Sequence, residues 1–295
     1  MRPSPVVAVA QRGGIATRAE ILDAGVQGID ISRAVRAGEL IRVRRAHYAV
    51  PEAPRDAVSA VRVGGRLGCV SALASYGIWT RATPVAHVVL PANAARLRTN
   101  RALVRTDEPL TPDRARTEVA LHWTDVPFGA RGDESAWRVP LERARAALPR
   151  CRPHADVAAA FESAVQRGLL TLDLAQRLAD ASLPQRMPPL VLGGLDGSGV
   201  ETLLAMELRA LGVPFIQQVP FDGVGFIDFL VAGRLAVETD GYEFHSDRAA
   251  FVRDRRRDEE LLRRGIPTLR LAAADVIADP RATALRVVHA LCALD

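Results

Sequence analysis

The chain has 295 residues, room for two or three small domains. Hydrophobic residues make up 48% and charged residues 25%, the balance of a globular protein, and no apolar run reaches the roughly 18 residues that would cross a bilayer. All 39 basic residues are arginine, which excludes a catalytic lysine, while the net charge of +5 and the pI of about 9.8 suit an anionic partner such as nucleic acid.

Residues 1–52 read as three short helices and a hairpin. The first helix covers 6–12 and is closed by Gly13-Gly14. Thr17-Arg18-Ala19-Glu20 has capping-box spacing and opens a second helix that ends before Gly25. A third helix over 30–37 stops at Gly38. Two strands, 40–44 and 47–50, flank Arg45-Ala46. Three helices and a two-stranded wing are the order of a winged helix-turn-helix. Its third helix would offer Ser32, Arg33 and Arg36 to a major groove, and Arg42, Arg44 and Arg45 on the wing would meet phosphates of double-stranded DNA.

Residues 53–195 read as a mixed helix-and-strand connecting region. Helices are expected over 58–63, 71–76, 154–168 and 172–181, with a helical stretch from Val139. Strands are expected at 87–91 and near 122–125. Cys69, Cys151 and Cys292 are isolated and odd in number, so they suggest neither a zinc pattern nor a disulfide framework and fit a reducing cytoplasm. His87, His122 and His154 have no metal-ligand spacing and read as structural. The glycine-rich 193–199 stretch lacks the Gly-Lys-Ser/Thr end of a phosphate loop and marks a boundary.

Residues 196–295 read as helix, three strands, helix, strand, helix. The first helix, 201–211, carries Glu207, and an edge strand covers 215–219. Two strand-like segments, 226–231 and 235–240, are joined by Ala232-Gly233-Arg234. That loop sets Asp228 opposite Glu238, with Cβ atoms about 4.5–5.5 Å apart, and Asp240 shares the face of Glu238. Carboxylates among aliphatic residues are costly without a counter-charge. A hard divalent cation, Mg²⁺ or Mn²⁺, is the usual one. Ser246 would cap an arginine-rich helix ending at Arg264, from which Arg253, Arg256 or Arg257 can reach a phosphate. A strand over 266–271 and a helix over 282–291 follow.

These residues resemble known families. Asp228 with Glu238-Thr239-Asp240 ten residues on resembles the PD-(D/E)XK nuclease superfamily, with Asp in place of its lysine. The run Glu238-Thr239-Asp240-Gly241-Tyr242-Glu243-Phe244-His245, with Arg256-Arg257-Asp258 and Gly265-Ile266-Pro267-Thr268-Leu269-Arg270, is similar to the very-short-patch-repair-like branch. Gly13-Gly14-Ile15-Ala16-Thr17-Arg18 with Gly38-Glu39-Leu40-Ile41-Arg42-Val43 is similar to the winged helix of abortive-infection antitoxins. Together they imply an α/β (α+β) multidomain protein: a winged helix over 1–52, the mixed region over 53–195 and a restriction-endonuclease-like domain over 196–295. The nuclease resemblance makes Asp228 and Glu238 metal ligands, joined by the backbone carbonyl of Thr239. It gives His245 a part in activating water and Glu207 a supporting role. Asp240, in the lysine's place, would hold a second metal or orient His245.

The expected function is a metal-dependent DNA endonuclease targeted by its winged helix. The missing lysine keeps a second reading open, a non-enzymatic DNA-binding regulator or antitoxin-like repressor. An RNA or nucleotide phosphodiesterase is a third. A homodimer is left open.

Overall fold

The computed structural model describes residues 3–95, 97, 119–126, 128, 135–182, 192–193, 197–240 and 248–294, with 182 and 248–254 as backbone only. They form a mixed α/β protein with three sheets. The chain divides into two compact units, Met1–Gly77 with Ala82–Cys151, and Ile78–Arg81 with Arg152–Asp295.

The first unit begins with α1 (Pro5–Ala10), β1 (Ile15–Thr17), α2 (Arg18–Asp23), α3 (Gly28–Arg36), β2 (Ile41–Arg44) and β3 (His47–Ala49). The capping box is as expected: the Glu20 backbone N–H donates to Thr17 Oγ1 at 3.2 Å, and the Thr17 N–H donates to Glu20 Oε2 at 2.6 Å. β1 was not anticipated. Three residues are too few to carry a strand's alternation, yet Ile15 pairs antiparallel with Ala49, giving the sheet order β1-β3-β2. Val9, Ile15, Ile21, Ile31, Leu40 and Ala49 are buried in this module.

The same unit continues with α4 (Arg55–Val63), β4 (Arg66–Leu67), α5 (Cys69–Ser75), β5 (Ala86–Pro91), β6 (Val119–Thr124), α6 (Leu141–Ala147) and a 3-10 turn, Leu148–Arg150. β4 pairs antiparallel and β6 parallel with β5. Glycines let the segment before α5 lie against β5. A Cβ on Gly65 would stand 2.2 Å from the carbonyl oxygen of Val89, and one on Gly68 2.1 Å from Val89 Cγ2, closer than packing permits.

The second unit is built on α7 (His154–Gln166), α8 (Leu172–Ser182), α9 (Gly199–Ala210), β7 (Phe215–Phe221), β8 (Gly225–Val231), β9 (Leu235–Asp240), α10 (Arg248–Arg263), β10 (Thr268–Ala272), α11 (Ala273–Ala278) and α12 (Pro280–Cys292). α7 and α8, expected in a connecting region, thus pack with this unit. Its sheet runs β10-β9-β8-β7, with β10 parallel to β9 and the rest antiparallel. Phe229, Val237 and Leu271 pack with Leu203, Leu204, Leu208 and Val287 in one core cluster. Ile227, Ala236 and Leu261 form a second, so the sheet carries apolar residues on both faces. No helix among the described residues is long and apolar enough to cross a membrane.

Candidate functional site

The acidic hairpin forms where alternation placed it. The pairs Phe229↔Val237, Leu230↔Ala236 and Val231↔Leu235, extended by one step, set Asp228 beside Glu238. The loop reverses through Ala232 and Gly233 at positive φ, 49° and 70°, and the Arg234 N–H donates to the Val231 carbonyl at 3.1 Å.

Each carboxylate has defined neighbours. Asp228 Oδ2 accepts from the backbone N–H of Thr239 at 2.8 Å and from its hydroxyl at 3.0 Å. Thr239 therefore meets Asp228 through two donors. Glu238 is 8% exposed and lies 3.5 Å from the Arg257 guanidinium. Burial, then the charge of Asp228, pushes the Glu238 carboxyl up to about 7, against the opposing pull of Arg257 and Arg270.

The third acid of the cluster is Glu201, on α9. Its Oε2 accepts from Gln218 Nε2 at 2.8 Å and its Oε1 from the Ser198 N–H at 2.8 Å. Burial, then Asp228, raises its carboxyl above the usual range. The expectation had named Glu207. That residue lies six positions further, about 120° around a helix of 3.6 residues per turn, and pairs with Arg281 at 3.3 Å. Helical phase therefore separates Glu207 from Glu201, the acid of this helix on which the charge of Asp228 acts. Gln218 completes the group from β7, with φ at 50°, a region side chains rarely adopt.

Asp240, read as standing in place of the superfamily's lysine, is held by another residue. Arg270 Nη1 donates to both its oxygens at 3.1 and 3.2 Å, and Arg270 Nη2 donates to Asp258 at 2.9 Å. Burial works against the charge of Arg270, but Asp258 and Asp240 outweigh it and hold its pKa above the ordinary value. His245 and the side chain of Arg253 lie outside the described residues. Arg256 is exposed. Arg257 donates to the Phe226 carbonyl at 2.5 Å as well as facing Glu238, so the cation beside the two opposed acids is an arginine of α10.

On the winged helix, Ser32, Arg33 and Arg36 of α3 are exposed, as are Arg42 and Arg45 on the wing. Ser32 Oγ donates to the Gly28 carbonyl at 3.2 Å, Arg33 pairs with Asp30 at 3.3 Å, and Arg36 Nε donates to the Ser32 carbonyl at 3.3 Å. Arg44 is half-buried. Its guanidinium packs over Gly64, where a Cβ would fall 2.0 Å from Nη1.

The cysteines and histidines of the first unit also depart from expectation. Cys69, His87, His122 and Cys151 bring one ligand atom each within 4.8 Å of one another. Their long spacings hid this, because the four come from separate elements. His154 stays outside the group, its Nε2 buried without a hydrogen-bond partner.

Among the residues that sequence reasoning missed, Glu201 carried a signal. Ser198-Gly199-Val200-Glu201 has capping-box spacing, and both its hydrogen bonds form. That spacing reads as a helix cap and says nothing of a neighbouring acid on another strand. Gln218 carried no signal, and Arg270 stood in the run that carried the resemblance without a role read for it.

Residues 5–51 match the family described as transcriptional regulator, AbiEi antitoxin. The match agrees with the resemblance read over this stretch and supports a DNA-binding, regulatory role for the N-terminal module. No curated protein matches the chain.

Proposed function

We propose that this is a DNA-binding protein whose second unit hydrolyses phosphodiester bonds in DNA, a nuclease of the PD-(D/E)XK type similar to the very-short-patch-repair branch. The observation that supports it most is the acid cluster: Glu201, Asp228 and Glu238 come from a helix and two strands, and burial and like charge raise the carboxyls of Glu201 and Glu238. Such an arrangement costs stability and is retained where chemistry uses it.

The donors of Asp228 and Glu238 are all oxygen, the kind a hard divalent cation takes, and Arg257 and Arg270 both act against their charge. Asp228 and Glu238 would hold Mg²⁺ or Mn²⁺, which when bound neutralises phosphate charge and acidifies a water. The remaining roles fall to side chains. Thr239 fixes Asp228 through two hydrogen bonds, and Gln218 fixes Glu201. Arg256 and Arg257 meet the phosphate, with planar guanidinium forks suited to two of its oxygens. His245 remains the proton acceptor by resemblance alone.

A second reading, a regulator that binds DNA without cutting it, is favoured by one observation. Asp240 stands in the lysine's place with both oxygens engaged by Arg270, leaving no amine at that position to touch the phosphate.

Supercoiled plasmid incubated with the purified chain and Mg²⁺ or Mn²⁺ separates the two. Nicked or linear product that disappears with EDTA supports the nuclease. Intact plasmid alongside a retarded DNA band supports the regulator.

The α3 surface makes its own prediction. Replacing Arg33 and Arg36 together with alanine is expected to weaken duplex DNA binding about tenfold or more at physiological salt. It should also flatten the slope of log affinity against log salt by about 1–2. An unchanged slope would remove α3 from the interface.

A further inference from the structure

We propose that Cys69, His87, His122 and Cys151 form a structural Zn²⁺ site in the first unit. This stands independently of the acidic cluster, which belongs to the second unit.

The ligand set matches the ion. Two thiolates and two imidazoles are the donors of closed, four-coordinate zinc sites. Two thiolates also cancel the ion's charge, which suits a buried position, and Cys69 and His87 are 0% and 8% exposed. On binding, both thiols lose their protons and no electron moves.

The geometry brings four elements to one point. Cys69 opens α5, His87 lies on β5, His122 on β6, and Cys151 follows the 3-10 turn. His87 Nδ1 faces His122 Nε2 at 2.9 Å, and Cys151 Sγ stands 3.8 Å from His87 Nδ1. With Zn–S near 2.3 Å and Zn–N near 2.0 Å, neighbouring ligand atoms in a tetrahedron lie roughly 3.3–3.8 Å apart. The Cys151–His87 sulfur–nitrogen distance meets that range, the two rings need to open by a few tenths of an ångström, and the two sulfurs, joined here, must be reduced and move apart to reach it.

The backbone is arranged for this convergence. Cys69 has φ at 47°, a strained conformation for a residue with a side chain, of the kind that clusters at ligand sites. The Gly68 N–H donates to the His87 carbonyl at 2.9 Å, and the His87 N–H donates to Ser71 Oγ at 2.9 Å. Close packing of Gly68 on Val89 thus lays Cys69 beside His87.

A disulfide is the competing use of the two sulfurs, and the structure joins them as one. Their Cα atoms are 7.5 Å apart, outside the 4.4–6.8 Å that disulfides usually span.

The test is metal analysis of the full chain, purified with reductant and without chelator, beside the variants C69S, C151S, C292S and D228N. The expected result is about one zinc per wild-type chain, kept in C292S and D228N and lost in C69S and C151S. Should the cysteine variants fail to fold, wild-type protein is stripped and reloaded with Co²⁺. Tetrahedral d–d bands with a thiolate-to-metal charge-transfer band are then expected. Metal-free reduced protein that shows no such bands would overturn the site. So would a Cys69–Cys151 disulfide in the freshly purified chain, or zinc retained by the doubly substituted C69S/C151S protein.

Discussion

Asp228→Asn is expected to lower DNA cleavage by on the order of 100-fold or more while leaving duplex affinity within about twofold. Metal-assisted stabilisation of a developing phosphate charge contributes several kcal/mol, and about 1.4 kcal/mol is tenfold in rate. Asparagine keeps the shape of Asp228 and one carbonyl oxygen to accept from Thr239, but it carries no charge toward a cation. The fold therefore survives and the chemistry does not. Affinity survives because the arginines proposed to dock the duplex, Arg33, Arg36, Arg42 and Arg45, belong to the other unit, and the substitution leaves Arg256 and Arg257 in place. Glu201→Gln should follow Asp228→Asn, and Glu207→Gln should behave as wild type, since Glu207 faces Arg281. Cleavage is read as nicked and linear plasmid under single-turnover conditions, and affinity by fluorescence anisotropy at fixed salt. Full cleavage by Asp228→Asn would remove the acid cluster from the chemistry. Loss with Glu207→Gln but not Glu201→Gln would reverse the helix assignment.

What could be read from the sequence was local. The Thr17 capping box, the Gly233 loop and the alternation that sets acids among aliphatic residues in β8 and β9 each depend on neighbours within about ten residues, and each formed. What could not be read depends on phase or on distance along the chain. Choosing between Glu201 and Glu207 needed the rotation of α9 relative to the sheet, which spacing on one helix does not supply. β1 exists only because β3 offers it an edge. The Cys69–Cys151 grouping joins residues 82 apart, with histidines 35 apart between them. Short-range ligand motifs such as Cys-x-x-Cys are blind to a site assembled by a parallel strand pair. Arg44 was read as a DNA contact because it is basic and on a wing. Its packing over Gly64 depended on α4, an element outside the motif.

Glu238→Gln, in metal-free protein held in EDTA, is expected to raise stability at pH 8 by about 1–3 kcal/mol and to have little effect at pH 5. The sign follows from the direction of the shift. The carboxyl sits at about 7 in the folded chain against an ordinary value of 4.5, so between those values the folded state keeps a proton that the unfolded state has lost. Stability contributed by this group therefore falls as pH rises through that window, and the full penalty, on the order of 3 kcal/mol, is present above pH 7. Glutamine removes the charge facing Asp228 while keeping the size of the side chain, and Arg257 retains its bond to the Phe226 carbonyl. The attraction of Arg257 is already contained in the value of about 7, and solvent screening of a partly accessible group sets the lower end of the range. Urea midpoints at pH 5 and pH 8 measure it. Equal shifts at both pH values would mean that Glu238 is not held above its ordinary range, and its burial would then carry no functional meaning. A variant that gains stability above pH 7 and loses cleavage is the expected signature of an acid kept for its chemistry at the expense of the fold.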